Sequence, residues 1–536
     1  MRYAKRLTAV AAVAALAVAG CGGGGGSGGE EELGTGTLRL GMPGGGPPHL
    51  SPFGSADTSS SSIVQKINVG LVEYAPESSE AENVIAESFE SEDNVTWEVK
   101  IQEGWKFHNG EEITAQTFVD SWNFTANAEN APDNTYFFTR FAGYEELNEG
   151  KDVTELSGLK VVDDTTFTVE LNAPWLAFPT ALGYAAYFPL AEACMADAEK
   201  CDQEAPIGNG PMLYPEGEVD KDVQIELKRW DDYKGTKPQV DTVIYTVYTD
   251  ENALWADFQA GELDLATAPD AEWEGASASM PDQLKEAVSA SFTYLGFPIY
   301  DEKFADAKIR QAFSLAINRD TMRDAAFNGR HRSADSFTPP EVIPGGVEGT
   351  CNYCATDEDE AKKLFDEAGG DELFTDTLKL YANSGVGHED WLEAVGNDLE
   401  RVLGIEYKIE LVEWEDYLEL TNEQNFEGPF RLGWAPDYPA NENYLTGVYG
   451  HGADNNNFGY EGEEFNELLA EGDSAESLDD ALGIYQDAER ILGEDMPCAP
   501  LFFSDAHTFI STNVDPETVV YGALNGWNWD LVKVNS

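Results

Sequence analysis

The chain has 536 residues, with 32 lysines and arginines against 100 aspartates and glutamates, which gives a formal net charge of −68. A protein this negative repels the phosphate backbone, so the charge excludes binding to nucleic acid by phosphate neutralisation. The length exceeds what one hydrophobic core supports, and an apolar content of 42% is enough for about two or three packed domains.

The first twenty residues, MRYAKRLTAVAAVAALAVAG, have the pattern of an export signal. A basic start is followed by an apolar run, which is shorter than the about 20 residues that a membrane-spanning helix needs. The apolar run ends in Val-Ala-Gly before Cys21, which resembles the lipobox of bacterial lipoproteins, where the cysteine is acylated. An ordinary cleaved signal is the alternative. We therefore expect residues 1–20 to be removed and residues 21–36 to form a lipidated, glycine-rich tether.

A strand, a turn and a helix are predicted in succession between Ala86 and Phe124. Trp97 and Val99 belong to an alternating apolar pattern, which is typical of a half-buried strand. Asn109-Gly110 is a turn dipeptide that tolerates positive φ. Thr114 then occupies the position of an N-cap ahead of a helix. The pattern by itself predicts a corner of an α/β protein.

Further elements alternate along the rest of the chain. Residues 160–171 predict a hairpin, and residues 240–265 predict a strand, a helix closed by Gly261 and a second strand. Residues 307–318 and 356–370 predict amphipathic helices. This alternation of strands and helices is typical of a layered α/β protein.

Six stretches of the sequence resemble the extracellular solute-binding proteins of peptide/nickel ABC importers, known as family 5. The resemblance covers nearly the whole chain after the export signal, with the stretches in the order of the family. They are the pieces AES, WEVK and KFHNG of residues 86–110, PIGNGP at 206–211, LKRWDDY and its sequel at 227–266, SFTYLGF at 291–297, LGWAPDY at 432–438 and PCAPLFF at 497–503.

The resemblance implies a two-lobed, periplasmic-binding-protein-like class II fold of the α/β class. Lobe one would comprise residues 37–291, with an extra subdomain inserted at about residues 53–205. Lobe two would comprise residues 292–503, and residues 504–536 would return to lobe one. The ligand would bind in the cleft between the lobes, and closure of the lobes would bury it.

The resemblance also implies a function in transport. The protein would be a monomer that captures oligopeptides or dipeptides at the outer face of the cytoplasmic membrane, held there by its lipid anchor only. It would deliver them to an ABC permease and ATPase complex. A nickel chelate or a glycoside is the alternative ligand on the same fold.

A secreted hydrolase is a third interpretation, which the motifs do not favour. The sequence contains neither a G-x-S-x-G nor a Walker motif, and no pair of its six histidines has H-E-x-x-H spacing. We therefore expect neither enzymatic activity nor a cofactor.

Two residues of the LGWAPDY stretch are the candidate ligand contacts. In peptide-binding members the matching aspartate pairs with the α-ammonium group of the peptide, and the matching tryptophan packs against a ligand side chain. These positions are Asp437 and Trp434. A carboxylate accepts hydrogen bonds only, which suits an ammonium group with three donors. The alternative for Asp437 is an ordinary turn residue, and no motif identifies a residue for the carboxyl end of a peptide.

The remaining cysteines predict two local disulfides in an exported protein. Cys194 and Cys201 are seven positions apart, and Cys351 and Cys354 are three apart. A zinc site is the alternative, although histidines at zinc-finger spacing are absent. Cys498, flanked by prolines at two nearby positions, is expected to be a buried free thiol.

Replacement of the predicted lipidation site gives the first test. The Cys21→Ser variant is expected to be released into the medium, or to remain as an unprocessed precursor, because serine cannot carry the thioether-linked lipid. Detergent phase partitioning of cell extracts measures this. A variant that partitions into the detergent phase as the wild type does would show that Cys21 is not the anchor.

Overall fold

The computed structural model describes residues 33–535, except 56, 77, 131–133, 150–151, 216–219, 341–342, 386, 454, 523 and 525. The predicted export signal, Cys21 and most of the predicted tether lie outside the described residues. Within the described part of the chain, no helix has the length and the apolar character needed to cross a membrane.

The strands run throughout the described residues and are numbered in chain order. They are β1 (Thr37–Pro43), β2 (Val72–Tyr74), β3 (Ala81–Asn83), β4 (Ala86–Glu90), β5 (Thr96–Ile101), β6 (Leu159–Asp163), β7 (Thr166–Glu170), β8 (Met212–Leu213), β9 (Gln224–Arg229), β10 (Thr242–Tyr248), β11 (Leu265–Ala266), β12 (Leu284–Gly296), β13 (Arg332–Ser333), β14 (Leu378–Asn383), β15 (Tyr407–Val412), β16 (Phe430–Trp434), β17 (Cys498–Ile510), β18 (Val520–Gly522) and β19 (Gly526–Asn528).

The α-helices alternate with these strands, as the sequence predicts for a mixed α/β protein. They are α1 (Thr58–Ile67), α2 (Ala115–Ala126), α3 (Tyr144–Glu149), α4 (Phe178–Ala181), α5 (Glu192–Ala196), α6 (Ala198–Gln203), α7 (Glu251–Ala260), α8 (Asp270–Ser279), α9 (Ala307–Ala316), α10 (Arg319–Phe327), α11 (Glu358–Glu367), α12 (Gly370–Leu373), α13 (Glu389–Leu403), α14 (Trp414–Asn422), α15 (Asn441–Tyr449), α16 (Glu463–Asp473) and α17 (Leu478–Asp495).

One large mixed sheet organises the chain. Its strand order is β15-β14-β16-β12-β17-β11-β1-β10-β9-β8, and β13 pairs with β17 beside this path. Strands β14, β15 and β16 are mutually parallel, as are β1, β10 and β11. The two parallel groups lie on opposite sides of the antiparallel pair β12 and β17.

Strands β12 and β17 are the longest in the structure, with 13 residues each. They pair in two blocks, residues 284–288 with 505–509 and residues 292–296 with 498–503. The register shifts between Val288 and Phe292, so the ladder is interrupted there. Phe292 lies opposite Phe503 just past the interruption, with ring centroids 5.8 Å apart.

A separate four-stranded sheet, β4-β5-β7-β6, contains the strand predicted first from the sequence. Trp97, Val99 and Ile101 are buried on one face of β5, which confirms the predicted alternation. Helix α2 packs over this sheet and buries Trp122 completely. The N-cap prediction is confirmed as well, because the Thr114 hydroxyl accepts a hydrogen bond from the backbone N–H of Thr117.

The PIGNGP stretch forms the close backbone contact that its glycines predict. A side chain at Gly208 would place its Cβ 1.8 Å from the carbonyl oxygen of Ile67, so only glycine fits there. His108 bridges the same stretch: the Gly208 N–H donates to its Nδ1 at 3.2 Å, and its Nε2 lies 3.0 Å from the Gly210 carbonyl oxygen. Burial lowers the pKa of His108 to about 4, so this histidine is a neutral structural residue.

The cysteines take the arrangement that the sequence predicts. Disulfides join Cys194 to Cys201 and Cys351 to Cys354. Cys498 is a buried free thiol, and burial raises its pKa above the usual value. The Cys351–Cys354 loop packs against the start of β17 through a sulfur contact with Met496.

Arg319 ties three parts of the chain together at the start of α10. Its guanidinium donates to the carbonyl oxygens of Pro500 at 2.6 Å, of Ser314 at 3.1 Å and of Cys354 at 2.7 Å. The residue is 4% exposed. Its charge is therefore satisfied by backbone carbonyl groups rather than by a carboxylate.

Replacing Arg319 with methionine is expected to lower the free energy of unfolding by roughly 2–4 kcal/mol, because buried carbonyl groups lose their donor. Equilibrium unfolding in urea measures this change. Arg323→Met on the same helix is the control, since the carboxylates that pair with Arg323 among the described residues are the exposed Asp320 and Asp324. The control is expected to change stability by about 0.5 kcal/mol or less. Equal losses in the two variants would contradict this assignment.

Candidate functional site

The segment from Trp434 to Asp437, called the anchor segment below, follows the end of β16 and separates two cavities. Trp434 and Asp437 line a cavity of about 260 Å³, called the anchor cavity. Ala435 and Pro436 line a larger cavity of about 680 Å³. The structure thus places both sequence-predicted ligand residues at one cavity, and the two residues between them face another.

Asp437 carries a carboxylate that no described cation neutralises. Its Oδ2 accepts a hydrogen bond from Asn443 Nδ2 at 3.2 Å, and its backbone N–H donates to Asn443 Oδ1 at 3.0 Å. Among the described residues, Oδ1 of Asp437 has no hydrogen-bond partner. One carboxylate oxygen is therefore left for a ligand.

The environment of this carboxylate disfavours its charged form. Burial raises the pKa of Asp437 to about 7, against the lowering effect of the Asn443 hydrogen bond and with a smaller contribution from Glu442. A cation that entered the cavity would reverse the effect, because an opposite charge favours the ionised carboxylate.

Six aromatic rings line the anchor cavity. They come from two distant parts of the chain, and they are Tyr136, Phe137, Trp175, Tyr187, Trp434 and Tyr438. Tyr438 and Ala440 belong to the same apolar cluster as the four-stranded sheet and α2. The residues that follow the anchor segment therefore pack into the apolar cluster that contains the four-stranded sheet and α2.

An ion-pair network closes one side of the anchor cavity. Arg140 lies 2.9 Å from Glu442 and 3.5 Å from Asp473, and its guanidinium stacks over the Trp175 ring at 4.6 Å. Burial disfavours the charge on Arg140, but the two carboxylates outweigh this and raise its pKa. The Tyr438 hydroxyl donates to Glu442 at 2.6 Å. Arg140 is thus fully engaged and does not neutralise Asp437.

The larger cavity has a polar wall on one side and an aromatic wall on the other. Helix α1 presents Thr58, Ser61, Ser62 and Gln65, which recur at helical spacing along one face, together with Lys66. Tyr521, Trp527 and Trp529 face them. The volume lies within the range of about 300–1,000 Å³ that is usual for small-molecule sites.

Arg431, on β16, is a residue that the sequence reasoning missed. It makes one weak hydrogen bond, from its guanidinium to Asn383 Oδ1 at 3.5 Å, and its buried Nε has no partner among the described residues. Burial lowers its pKa. Arg431 is not among the described lining residues of either cavity. In a chain with 100 carboxylates, an arginine that pairs with none of the described ones is nevertheless a candidate for binding an anionic ligand group.

Asn443 and Arg140 are two further site residues that no motif identifies. Both act through contacts with residues of other elements, and neither position shows a distinctive local pattern. The described residues contain no group of three or more histidine, cysteine, aspartate or glutamate side chains that could hold a metal ion. The arrangement is suited to binding a ligand with a cationic group beside an apolar one.

The chain is similar in sequence to known bacterial binding proteins. The family model described as "Bacterial extracellular solute-binding proteins, family 5 Middle" matches residues 80–456. The oligopeptide-binding protein OppA of Bacillus subtilis is 25% identical over 471 residues, which is 85% of each chain. The dipeptide-binding protein of Escherichia coli is 27% identical over 477 residues, covering 85% of this chain and 86% of that one.

The fold is shared with solved structures of binding proteins. The oligopeptide-binding protein AppA of Bacillus subtilis, solved in complex with a nonapeptide, superposes with a TM-score of 0.73 at 22% identity. The match covers 94% of this chain and 100% of AppA. It shows the two-lobed class II fold of periplasmic binding proteins.

Proposed function

The chain belongs to family 5 of the bacterial extracellular solute-binding proteins, and from this membership we propose that it captures oligopeptides or dipeptides for an ABC importer. The α-ammonium group of the peptide binds Asp437, and the first side chain lies beside Trp434. The protein does not transform its ligand. It acts as a monomer and passes the ligand to a permease and ATPase complex.

The observation that carries this proposal is the state of Asp437. Its carboxylate lies in an aromatic cavity with one oxygen free and without a cationic partner among the described residues. The residue is half-buried, and partial loss of water around an anion without a partner is costly. An ammonium group supplies both the opposite charge and the hydrogen-bond donors that the free oxygen lacks.

Arg431 is the proposed partner for an anionic group of the ligand, such as the terminal carboxylate of a short peptide. It lies on β16, six positions before Asp437. Its Nε lacks a partner among the described residues. A guanidinium can bind a carboxylate through two parallel hydrogen bonds. No described carboxylate of the protein pairs with Arg431 in this way.

The lobe boundaries belong to the same proposal. Residues 37–291 and 504–536 form lobe one, with the subdomain of about residues 53–205 inserted, and residues 292–503 form lobe two. The interruption of the β12–β17 ladder next to the Phe292–Phe503 pair supports a hinge there. Short breaks at the ends of paired blocks are where a hinge absorbs changes in backbone angles.

The lipid anchor completes the proposal. After removal of the export signal, acylated Cys21 holds the protein at the outer face of the cytoplasmic membrane, with residues 21–36 as the tether. Several acyl chains on one cysteine support stable anchoring, whereas a single chain is marginal.

Native mass spectrometry of the purified mature protein tests the class of ligand. Adducts with the masses of short peptides are expected. Adducts of a metal chelate or of a sugar, without peptides, would overturn the proposal.

A thermodynamic cycle tests the contact with Asp437. Loss of one partner of a buried charge pair costs about 2–5 kcal/mol, which is roughly 30-fold to several thousand-fold in affinity. Asp437→Asn is therefore expected to weaken binding of free peptides by that factor, as measured by calorimetric titration. N-acetylated peptides lack the ammonium group, so they are expected to bind the wild type weakly and the variant no more weakly.

Asp416→Asn is the matched control for this cycle, because Asp416 is exposed on α14. It is expected to leave the affinity for both peptide forms unchanged. If the losses from Asp437→Asn and from acetylation simply add, Asp437 does not contact the amino terminus and is a turn residue.

The affinity is also expected to depend on pH. The carboxylate of Asp437 must be ionised to bind, and burial raises its pKa to about 7 in the empty site. The ammonium group must be protonated, and its pKa is about 7.7–8.0. Affinity for free peptides is therefore expected to fall as the pH drops below about 7, and to fall again above about 8. Titrations across this range measure the profile. Asp437→Asn is expected to lack the acid limb, and an acid limb that persists would contradict the assignment.

A further inference from the structure

One side chain contacts both residues to which the proposed function assigns the amino end of the ligand. We propose that Asn443 is a positioning residue, which turns one oxygen of the Asp437 carboxylate toward the ligand and fixes the Trp434 ring beside it. This role rests on the proposed function, but it makes a separate prediction about the empty protein.

Three hydrogen bonds define this role. Asn443 Oδ1 accepts from the Trp434 indole Nε1–H at 3.1 Å and from the backbone N–H of Asp437 at 3.0 Å. Its Nδ2 donates to Asp437 Oδ2 at 3.2 Å. The amide thus holds the main chain and the side chain of Asp437 at the same time, which fixes the direction of the carboxylate. Asn443 is 4% exposed, so water does not compete for these bonds.

The hydrogen bonds divide the two oxygens of Asp437 between two tasks. Oδ2 is occupied by Asn443, whereas Oδ1 has no partner in the described part of the structure. A carboxylate that was free to rotate would offer either oxygen and would lose more rotamer freedom on binding a ligand. Asn443 removes that freedom before the ligand arrives.

Asn443 is itself held by the central sheet. It lies in the first turn of α15, and the next two residues, Tyr444 and Leu445, are completely buried. The Tyr444 hydroxyl donates a hydrogen bond to the carbonyl oxygen of Ala290, in the interrupted part of β12. The position of the Asp437 carboxylate is therefore set from the strand that joins the two halves of the sheet.

Several other groups surround Asp437 and must be separated from the effect of Asn443. The charged and titratable groups that face it are Tyr74, Arg140, Tyr184, Tyr187, Tyr438, Glu442 and Tyr444, with Asp473 beyond Arg140. Burial raises the pKa values of these tyrosines, so they stay neutral near pH 7. The pKa of Asp473 is also raised, by burial and by Glu442. The titration of Asp473 is told apart from that of Asp437 because the Asp437→Asn variant loses the Asp437 signal and keeps that of Asp473.

Asn443→Asp is the sharpest variant, because it has the same shape and still accepts from the Trp434 indole. It replaces the donor to Asp437 Oδ2 with a second oxygen. Carbon-13 NMR of aspartate-labelled protein without ligand follows the Asp437 carboxyl, whose signal is assigned by its loss in Asp437→Asn. The titration midpoint is expected to move to higher pH, because a stabilising donor is gone and a like charge is added.

Binding of trialanine at pH 7.5 is the second measurement. Asn443→Asp is expected to weaken it roughly tenfold or more, in line with the loss of a hydrogen bond to a charged group. N-acetyl-trialanine is expected to bind the variant as weakly as it binds the wild type. Asn443→Ser is a neutral second variant, expected to shift the midpoint in the same direction, and it decides the question if the aspartate variant does not fold.

Asn209→Ala is the matched control, since Asn209 is also buried and bonds the backbone of Val69 through both its Oδ1 and its Nδ2. It is expected to lower stability without moving the Asp437 midpoint. If the Asn443 variants leave that midpoint unchanged and weaken both peptides equally, Asn443 is only structural and the proposal is wrong. If instead the wild type binds trialanine no better than its acetylated form, the proposed function fails, while the titration of the empty protein still decides the role of Asn443.

Discussion

The pairing of β12 with β17 is the interaction on which the rest of the structure depends. These two long strands supply the antiparallel ladder between the parallel groups of the central sheet, and Phe292 lies opposite Phe503 beside its interruption. The chain on either side is joined to them by further strand pairing and by Tyr444, whose hydroxyl reaches the backbone of β12. Because β16 also pairs with β12, the anchor segment that follows β16 inherits its position from this ladder.

A second group of contacts surrounds the Asp437 carboxylate in the anchor cavity. Arg140 forms ion pairs with Glu442 and Asp473, and Asn443 donates a hydrogen bond to one oxygen of Asp437. Among the described residues, two polar atoms of the cavity lining have no hydrogen-bond partner, Asp437 Oδ1 and Thr446 Oγ1. Of the two, the half-buried carboxylate carries a charge, and hydrogen bonds to charged groups are the stronger ones.

Much of the fold was predictable because its signals are local. The alternation in β5, the cap at Thr114 and the two disulfides each depend on residues a few positions apart. The resemblance of LGWAPDY to the family identified Trp434 and Asp437 as a pair, and the structure places both at one cavity. The contacts of the site were not predictable in this way. Arg140 lies 302 positions from Glu442, and only the folded chain brings the two together.

The packing of Tyr438 and Ala440 has a consequence for how an empty cleft behaves. These residues sit in the apolar cluster that includes the four-stranded sheet, one step along the chain from the Asp437 carboxylate. The Asp437 carboxylate next to them is half-buried, and burial raises its pKa to about 7. Without a cation beside it, its charged form is therefore disfavoured near neutral pH. Under the proposed function, an ammonium group would reverse this preference, so a filled cleft would hold the carboxylate charged and an empty cleft would hold more of it protonated.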